Sequence, residues 1–111
     1  MTNNMDKECT NICEAINLYS PDFYTTSSCC GHGTHPFRIW FHVDKLDRLP
    51  EMLYFFDACH SGFYKWHVEV YTDCAMSNNT FMLGGGTGQE AYEEADKIAQ
   101  MITEYYKDKY D

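Results

Sequence analysis

The chain reads as an α+β two-layer sandwich: a mainly antiparallel four-stranded sheet with helices on one face, in the order α-β-β-α-β-β-α. Two stretches, 37–43 and 63–72, alternate apolar and polar residues with period two, as half-buried strands do. Two others, 5–19 and 89–106, carry apolar residues at helical spacing. No internal repeat or linker interrupts the pattern, and 111 residues is a common domain size, so a single domain over 1–111 is expected.

The first helix gathers Met5, Cys9, Ile12, Cys13, Ile16 and Tyr19 on one side, with Asn3 or Asn4 as its cap. Ser20-Pro21-Asp22 stops it, because the residue before proline avoids the helical region. The aromatic and β-branched run Phe23 to Cys29 reads as a strand, and a small-residue loop, Cys30 to Pro36, follows. In the next strand Phe37, Ile39, Phe41 and Val43 share one face, and Arg38, Trp40 and His42 the other. Residues 45–60 predict a helix with Pro50 in a first turn and a buried stripe of Leu46, Leu49, Leu53, Phe56 and Cys59, ended by Gly62. The strand over 63–72 sets Tyr64, Trp66, Val68 and Val70 against Phe63, Lys65, His67, Glu69 and Tyr71. A turn over Asp73 to Asn79 leads to a short strand, Thr80 to Leu83. The glycine run Gly84 to Gly88, with Thr87 inside it, precedes a last helix whose core stripe is Ala91, Ala95, Ile98, Ala99, Ile102 and Tyr105 or Tyr106.

Charge narrows the partners. Eight basic residues stand against 17 acidic ones, a net charge of −9, and a field of that sign repels nucleic-acid phosphates. The start, Met-Thr-Asn-Asn-Met-Asp-Lys-Glu, has no apolar stretch and no run approaches membrane-spanning length, so a cytoplasmic protein without a membrane partner is expected. Reduced thiols are then the simplest state of Cys9, Cys13, Cys29, Cys30, Cys59 and Cys74. The cluster Cys29-Cys30-Gly31-His32-Gly33-Thr34-His35, with Cys59-His60, has irregular spacing and no paired C-x2-C clips, which argues against zinc. Cysteine catalysis needs an imidazole at about 3 Å from the thiol and a third group to orient it, a geometry sequence neighbours rarely reach.

Two surfaces remain as candidates. The uncovered sheet face would carry Arg38, Trp40 and His42 beside Lys65, His67, Glu69 and Tyr71, a set that suits a planar anion such as a nucleotide. The same residues also suit a solvated face or a contact between copies of the chain, the plainer reading of such a surface. The Gly84 to Gly88 run, ahead of a helix, suits either a plain connection or an anion-binding loop, and lacks the Gly-Lys-Ser/Thr ending of a phosphate-binding P-loop. The small residues of the first loop let a ligand approach the backbone closely.

The run Phe23 to Gly31, with Ser27-Ser28-Cys29-Cys30-Gly31, resembles the Ser-x-Ser-Cys-Ser/Ala-Gly-Arg signature of the tRNA wybutosine-synthesising protein 3 family. His35-Pro36-Phe37, His42-Val43 and Ser61-Gly62-Phe63 are similar to that family's Glu-Pro-Phe, His-Val and Ser-Gly-Phe stretches, in the same order. His32 stands where the signature has Arg, and the family's Gly-Gly-Lys-Trp motif has no counterpart. The Ser-Ser-Cys-Cys-Gly-His-Gly run also resembles short proteins of phages and low-GC Gram-positive bacteria. The resemblance implies a reduced form of an S-adenosylmethionine-dependent methyltransferase fold. It keeps a pocket beside Thr25 to Gly31 and lacks the transfer apparatus, with S-adenosylmethionine as the cofactor such a fold would take.

The expected function is a non-catalytic module capturing a nucleotide-like molecule, for instance a phage-encoded protein that sequesters a signalling nucleotide in the host cytoplasm. Thr26, Ser27, Ser28 and Cys29, with the backbone of Gly31 to Gly33, would line the ligand. His32, His35 and Arg38 would meet its negative charge, and His42, Lys65 and His67 would extend the surface. The alternatives are a methyltransferase acting on a modified tRNA base and an acidic protein-interaction module.

Overall fold

The computed structural model describes residues 6–70 and 79–110. Four strands, β1 (Phe23–Cys29), β2 (Arg38–Val43), β3 (His67–Val70) and β4 (Thr80–Gly84), form one sheet in the order β1-β2-β4-β3. Every neighbouring pair is antiparallel. The helices are α1 (Thr10–Asn17), α2 (Leu49–Leu53), α3 (Ala58–Ser61) and α4 (Gly88–Tyr110), all packed on one side of the sheet, so the chain is an α+β sandwich with an uncovered face. The caps proposed at Asn3 or Asn4, the contacts of Met5, Tyr71 and Cys74, the turn over 73–78 and the His60 side chain lie outside the described residues.

A short 3-10 turn, Lys7–Cys9, leads into α1, which buries Ile12, Cys13, Ala15 and Ile16. Asn17 ties the end of α1 to the sheet: its Oδ1 accepts from the Thr25 N–H at 2.8 Å and its Nδ2 donates to Thr25 Oγ1 at 3.0 Å. Phe37, Ile39, Phe41 and Val43 are all fully buried, as their alternation requires. The 23-residue α4, roughly 35 Å long at 1.5 Å per residue, covers them with Ala91, Ala95, Ile98, Ala99 and Ile102.

Register departs from simple alternation in β1. Thr25 pairs with Phe41 and Ser27 with Trp40, leaving Thr26 as the extra residue of a β-bulge. Past the bulge the faces exchange: Ser27 and Cys29 lie on the uncovered face, and Ser28, opposite Ile39, turns toward α1.

The segment 45–60 is not one helix. It runs as a 3-10 turn (Leu46–Arg48), α2, a second 3-10 turn (Tyr54–Phe56) and α3, because Asp57 is extended (φ −75°, ψ 125°) and caps α3 through the Cys59 N–H at 2.9 Å. The altered winding rotates the buried face to Met52, Phe55 and Phe56, leaving Leu46 and Cys59 exposed. Gly62 ends α3 in the left-handed region (φ +81°), as expected of a C-terminal glycine. Only 67–70 of the expected strand over 63–72 is extended among the described residues; Phe63 to Trp66 form turns that still bury Trp66 against Phe37.

Arg48 fastens the far end of the molecule. Its guanidinium pairs with Asp22, with Glu51 at 2.8 Å and with the Tyr110 hydroxyl at 2.6 Å, and it stacks over Tyr19, Phe23 and Tyr110. The last turn of α4 is thereby joined to the start of β1 and to α2.

Candidate functional site

The sequence-proposed residues divide between two adjoining places. On the uncovered face the Arg38 guanidinium lies over the Trp40 ring at 5.3 Å, and His42 stacks on Tyr24 with centroids 5.0 Å apart and planes tilted by 33°. Ser27 sits beside Trp40 across the β1–β2 pairing, and Cys29 beside Arg38. Arg38 Nε is buried without a hydrogen-bond partner among the described residues. Strand geometry explains the grouping, since residues facing each other across two antiparallel strands share a face. Tyr24 is the member that sequence reading left out; its place after Phe23 in an alternating strand was the available signal.

The second place is the bend after β1. Gly31, His32 and Gly33 all have positive φ (+83°, +53° and +88°), a left-handed run that two glycines make accessible. A Cβ at Gly31 would stand 3.1 Å from the Pro36 carbonyl oxygen, so this glycine also permits the loop to close on itself. The Cys30 N–H donates to Asp6 Oδ2 at 3.0 Å, and Cys30 Sγ accepts from the His32 N–H at 3.3 Å and from the Tyr92 hydroxyl at 3.8 Å. The amide hydrogen bond from Cys30 is the main reason that the Asp6 carboxyl titrates below its usual range. Asp6 had no signal in the sequence: it lies ahead of α1, and only folding brings it to this loop.

Several proposed contacts are redirected. Thr26 Oγ1 donates to the Trp40 carbonyl at 3.3 Å, which engages its hydroxyl inside the sheet. Ser28 faces the Cys9 and Cys13 thiols beneath the sheet, because the bulge reverses its side. Lys65 precedes β3 and pairs with Glu90 of α4 at 2.6 Å, leaving the uncovered face; His67 stays on that face, paired with Glu69 at 2.7 Å. His35 is exposed in the loop, its N–H bonded to the Gly31 carbonyl at 2.9 Å. Of the three hydroxyl residues only Ser27 stays directed toward the uncovered face.

The glycine run before α4 serves packing. A Cβ on Gly85 would lie 2.8 Å from three atoms of the Trp66 ring, and one on Gly84 would lie 2.8 Å from the His67 ring. Gly85 N–H and Gly86 carbonyl both bond to Phe37 backbone atoms, so this strand end is stitched to β2 and the Gly85 amide is engaged there.

Cysteine chemistry is similarly constrained. Cys30 Sγ reaches His32 Nδ1 at 3.8 Å, yet burial pushes the Cys30 thiol up, opposite to what activates a nucleophile. Burial also pushes Cys9 up to about 12 and raises Cys13. Two surface cavities lie away from both places: a groove of about 620 Å³ between α1 and α4, floored by Ala15 and Ala99, and a hollow of about 150 Å³ beside Arg48 and Tyr110. Among the described residues no helix is long and apolar enough to cross a membrane. No family model, no curated protein and no solved structure matches this chain.

Proposed function

We propose that this protein is a non-catalytic binding module that captures a small, planar, anionic ligand of nucleotide type on the uncovered sheet face. The observation that carries the reading is the Arg38–Trp40 pair. In a chain of net charge −9, Lys45, Arg48, Lys65 and Lys109 are each neutralised by a carboxylate. Arg38, like Lys7, Lys97 and Lys107, belongs to none of the ion pairs among the described residues, and it rests on an indole beside His42 on the uncovered face. A base stacking beside Trp40 contributes about 1–3 kcal/mol, and a forked guanidinium adds bidentate contact to a phosphate. Ser27 and His42 supply the neighbouring polar contacts, and Cys29 with the Gly31–Gly33 bend borders the same end of the sheet. Capture needs only the stacking and charge that this face offers. By resemblance to the wybutosine-synthesising protein 3 family, the competing reading is S-adenosylmethionine-dependent methyl transfer to a tRNA base; the acidic field opposes that substrate.

Calorimetric titration of the whole chain with nucleoside mono-, di- and cyclic phosphates and with S-adenosylmethionine tests the proposal, alongside native mass spectrometry of the purified protein. Binding of a nucleotide that weakens about tenfold or more in Trp40→Ala and in Arg38→Gln, with unchanged unfolding midpoints, is the expected result. A protein that purifies without ligand and takes up none of these compounds refutes it. So does nucleotide binding that survives both substitutions. Uptake of S-adenosylmethionine alone would favour the transferase.

A further inference from the structure

We propose that the bend after β1 is a binding site for a zinc-class divalent cation, held by Asp6, Cys29 and His32. One ligand atom from each of these residues lies within 4.8 Å of the other two. A tetrahedral ion with bonds of about 2.0–2.3 Å needs ligand atoms roughly 3.3–3.8 Å apart, so the three atoms would draw together by about 1 Å or less around an ion. One carboxylate, one thiolate and one imidazole are a donor set for zinc, cobalt or nickel, not for magnesium or calcium. A carboxylate and a thiolate also balance the charge of a dication.

The surroundings are arranged as a ligand shell would be. His32 Nδ1 faces Cys30 Sγ at 3.8 Å, while Nε2 lies 4.0 Å from Asp6 Oδ2, so the nitrogen turned toward Asp6 is the one free to bind. Metal-bound imidazoles commonly have their second nitrogen engaged in this way. The Cys30 N–H fixes the Asp6 carboxylate at 3.0 Å and leaves lone pairs on it unused. The bend at Gly31, His32 and Gly33, all at positive φ, carries the imidazole to within 4.8 Å of the Cys29 sulfur and the Asp6 carboxylate. The adjacent cysteines divide their tasks, since Cys30 is buried under α4 and Cys29 lies on the uncovered face. Cysteine and histidine spacing does not reveal the set because its third member comes from ahead of α1. Three protein ligands would leave a fourth place on a tetrahedral ion for an exchangeable ligand.

The test uses the full chain, stripped by chelation and then titrated with Zn²⁺ or Co²⁺ without any nucleotide, so its outcome is separate from that of the ligand proposal. One metal per chain and a thiolate-to-cobalt charge-transfer band are expected. The band is lost in Cys29→Ser, and zinc affinity falls at least tenfold in Asp6→Asn and in His32→Asn. Cys59→Ser, at an exposed cysteine of α3, retains wild-type binding. Zinc also protects Cys29 from alkylation in the unmodified protein, a readout that holds even if a variant fails to fold. Absence of stoichiometric uptake, a band that persists in Cys29→Ser, or alkylation of Cys29 at the same rate with and without zinc would each overturn the proposal.

Discussion

Replacing Arg48 by Met removes the cation from a network in which Asp22 and Glu51 are mostly shielded, with side chains 14% and 16% exposed. Breaking a fully buried pair from one side costs about 3–5 kcal/mol. Here Arg48 itself is 26% exposed, and Lys45 at 3.7 Å from Asp22 and Lys109 at 3.8 Å from Glu51 remain as weaker partners. The expected loss is therefore about 2–3 kcal/mol, or roughly 10 °C in Tm for a domain of this size. Urea unfolding followed by tryptophan fluorescence reads it, with an unchanged m-value showing that the unfolded state is unaltered. Adding Glu51→Gln to Arg48→Met recovers part of the loss, because the second change removes one of the stranded charges. Acid supplies an independent check. Desolvation alone would push the Glu51 carboxyl up, but hydrogen bonds from Arg48 and Tyr110 outweigh it and hold the group below its ordinary 4.5. A depressed carboxyl stabilises the fold fully above the unfolded value, and that contribution is lost as pH falls through the folded one. The stability gap between the native protein and Arg48→Met must then narrow below about pH 4.5. A loss under about 1 kcal/mol at pH 7, within what an exposed pair would contribute, or a gap that stays constant into acid, refutes the reasoning.

Three further outcomes follow from the packing. Gly85→Ala drives a methyl into the Trp66 ring, 2.8 Å away, and should cost about 1–3 kcal/mol in urea unfolding; a neutral effect would mean that the indole does not rest on this backbone. Gly31→Ala combines a φ of +83° with a 3.1 Å approach to the Pro36 carbonyl and should lose about 1–2 kcal/mol. Gly33→Ala, with open space around its Cβ, should lose less by the same assay. Brief iodoacetamide treatment of the native protein, read by mass spectrometry, should modify Cys59 and spare Cys9, whose thiol burial pushes up to about 12. Equal modification of both would contradict the burial of α1 against β1.

Periodicity made most of the architecture legible. The alternation from Phe37 to Val43 and the helical stripe from Ala91 to Ile102 each name their buried side, because a strand and a helix expose a fixed set of residues to one neighbour. Legibility ended where local order is set by a single non-repeating residue. Thr26 inserts a bulge that reverses Ser28, and extended Asp57 splits the helical segment and moves its apolar face. Neither event leaves a trace in the hydrophobic pattern: the bulge is set by pairing with β2, and the break at Asp57 by a polar side chain that caps α3.

The candidate surfaces divide along the same line. Arg38, Trp40 and His42 were assignable to one face from sequence because period two is a property of the strand itself. Lys65 was misplaced by the same rule, since the turns before β3 carry it to Glu90. Which residues come to stand beside those of β2 was decided by tertiary structure. Strand order brought Tyr24 to His42 and Cys29 to Arg38. Docking of the segment ahead of α1 brought Asp6 to Cys30 and His32. Sequence spacing encodes which side chains share an element, whereas contacts between elements depend on how buried apolar area is shared among them, a quantity that belongs to the folded whole.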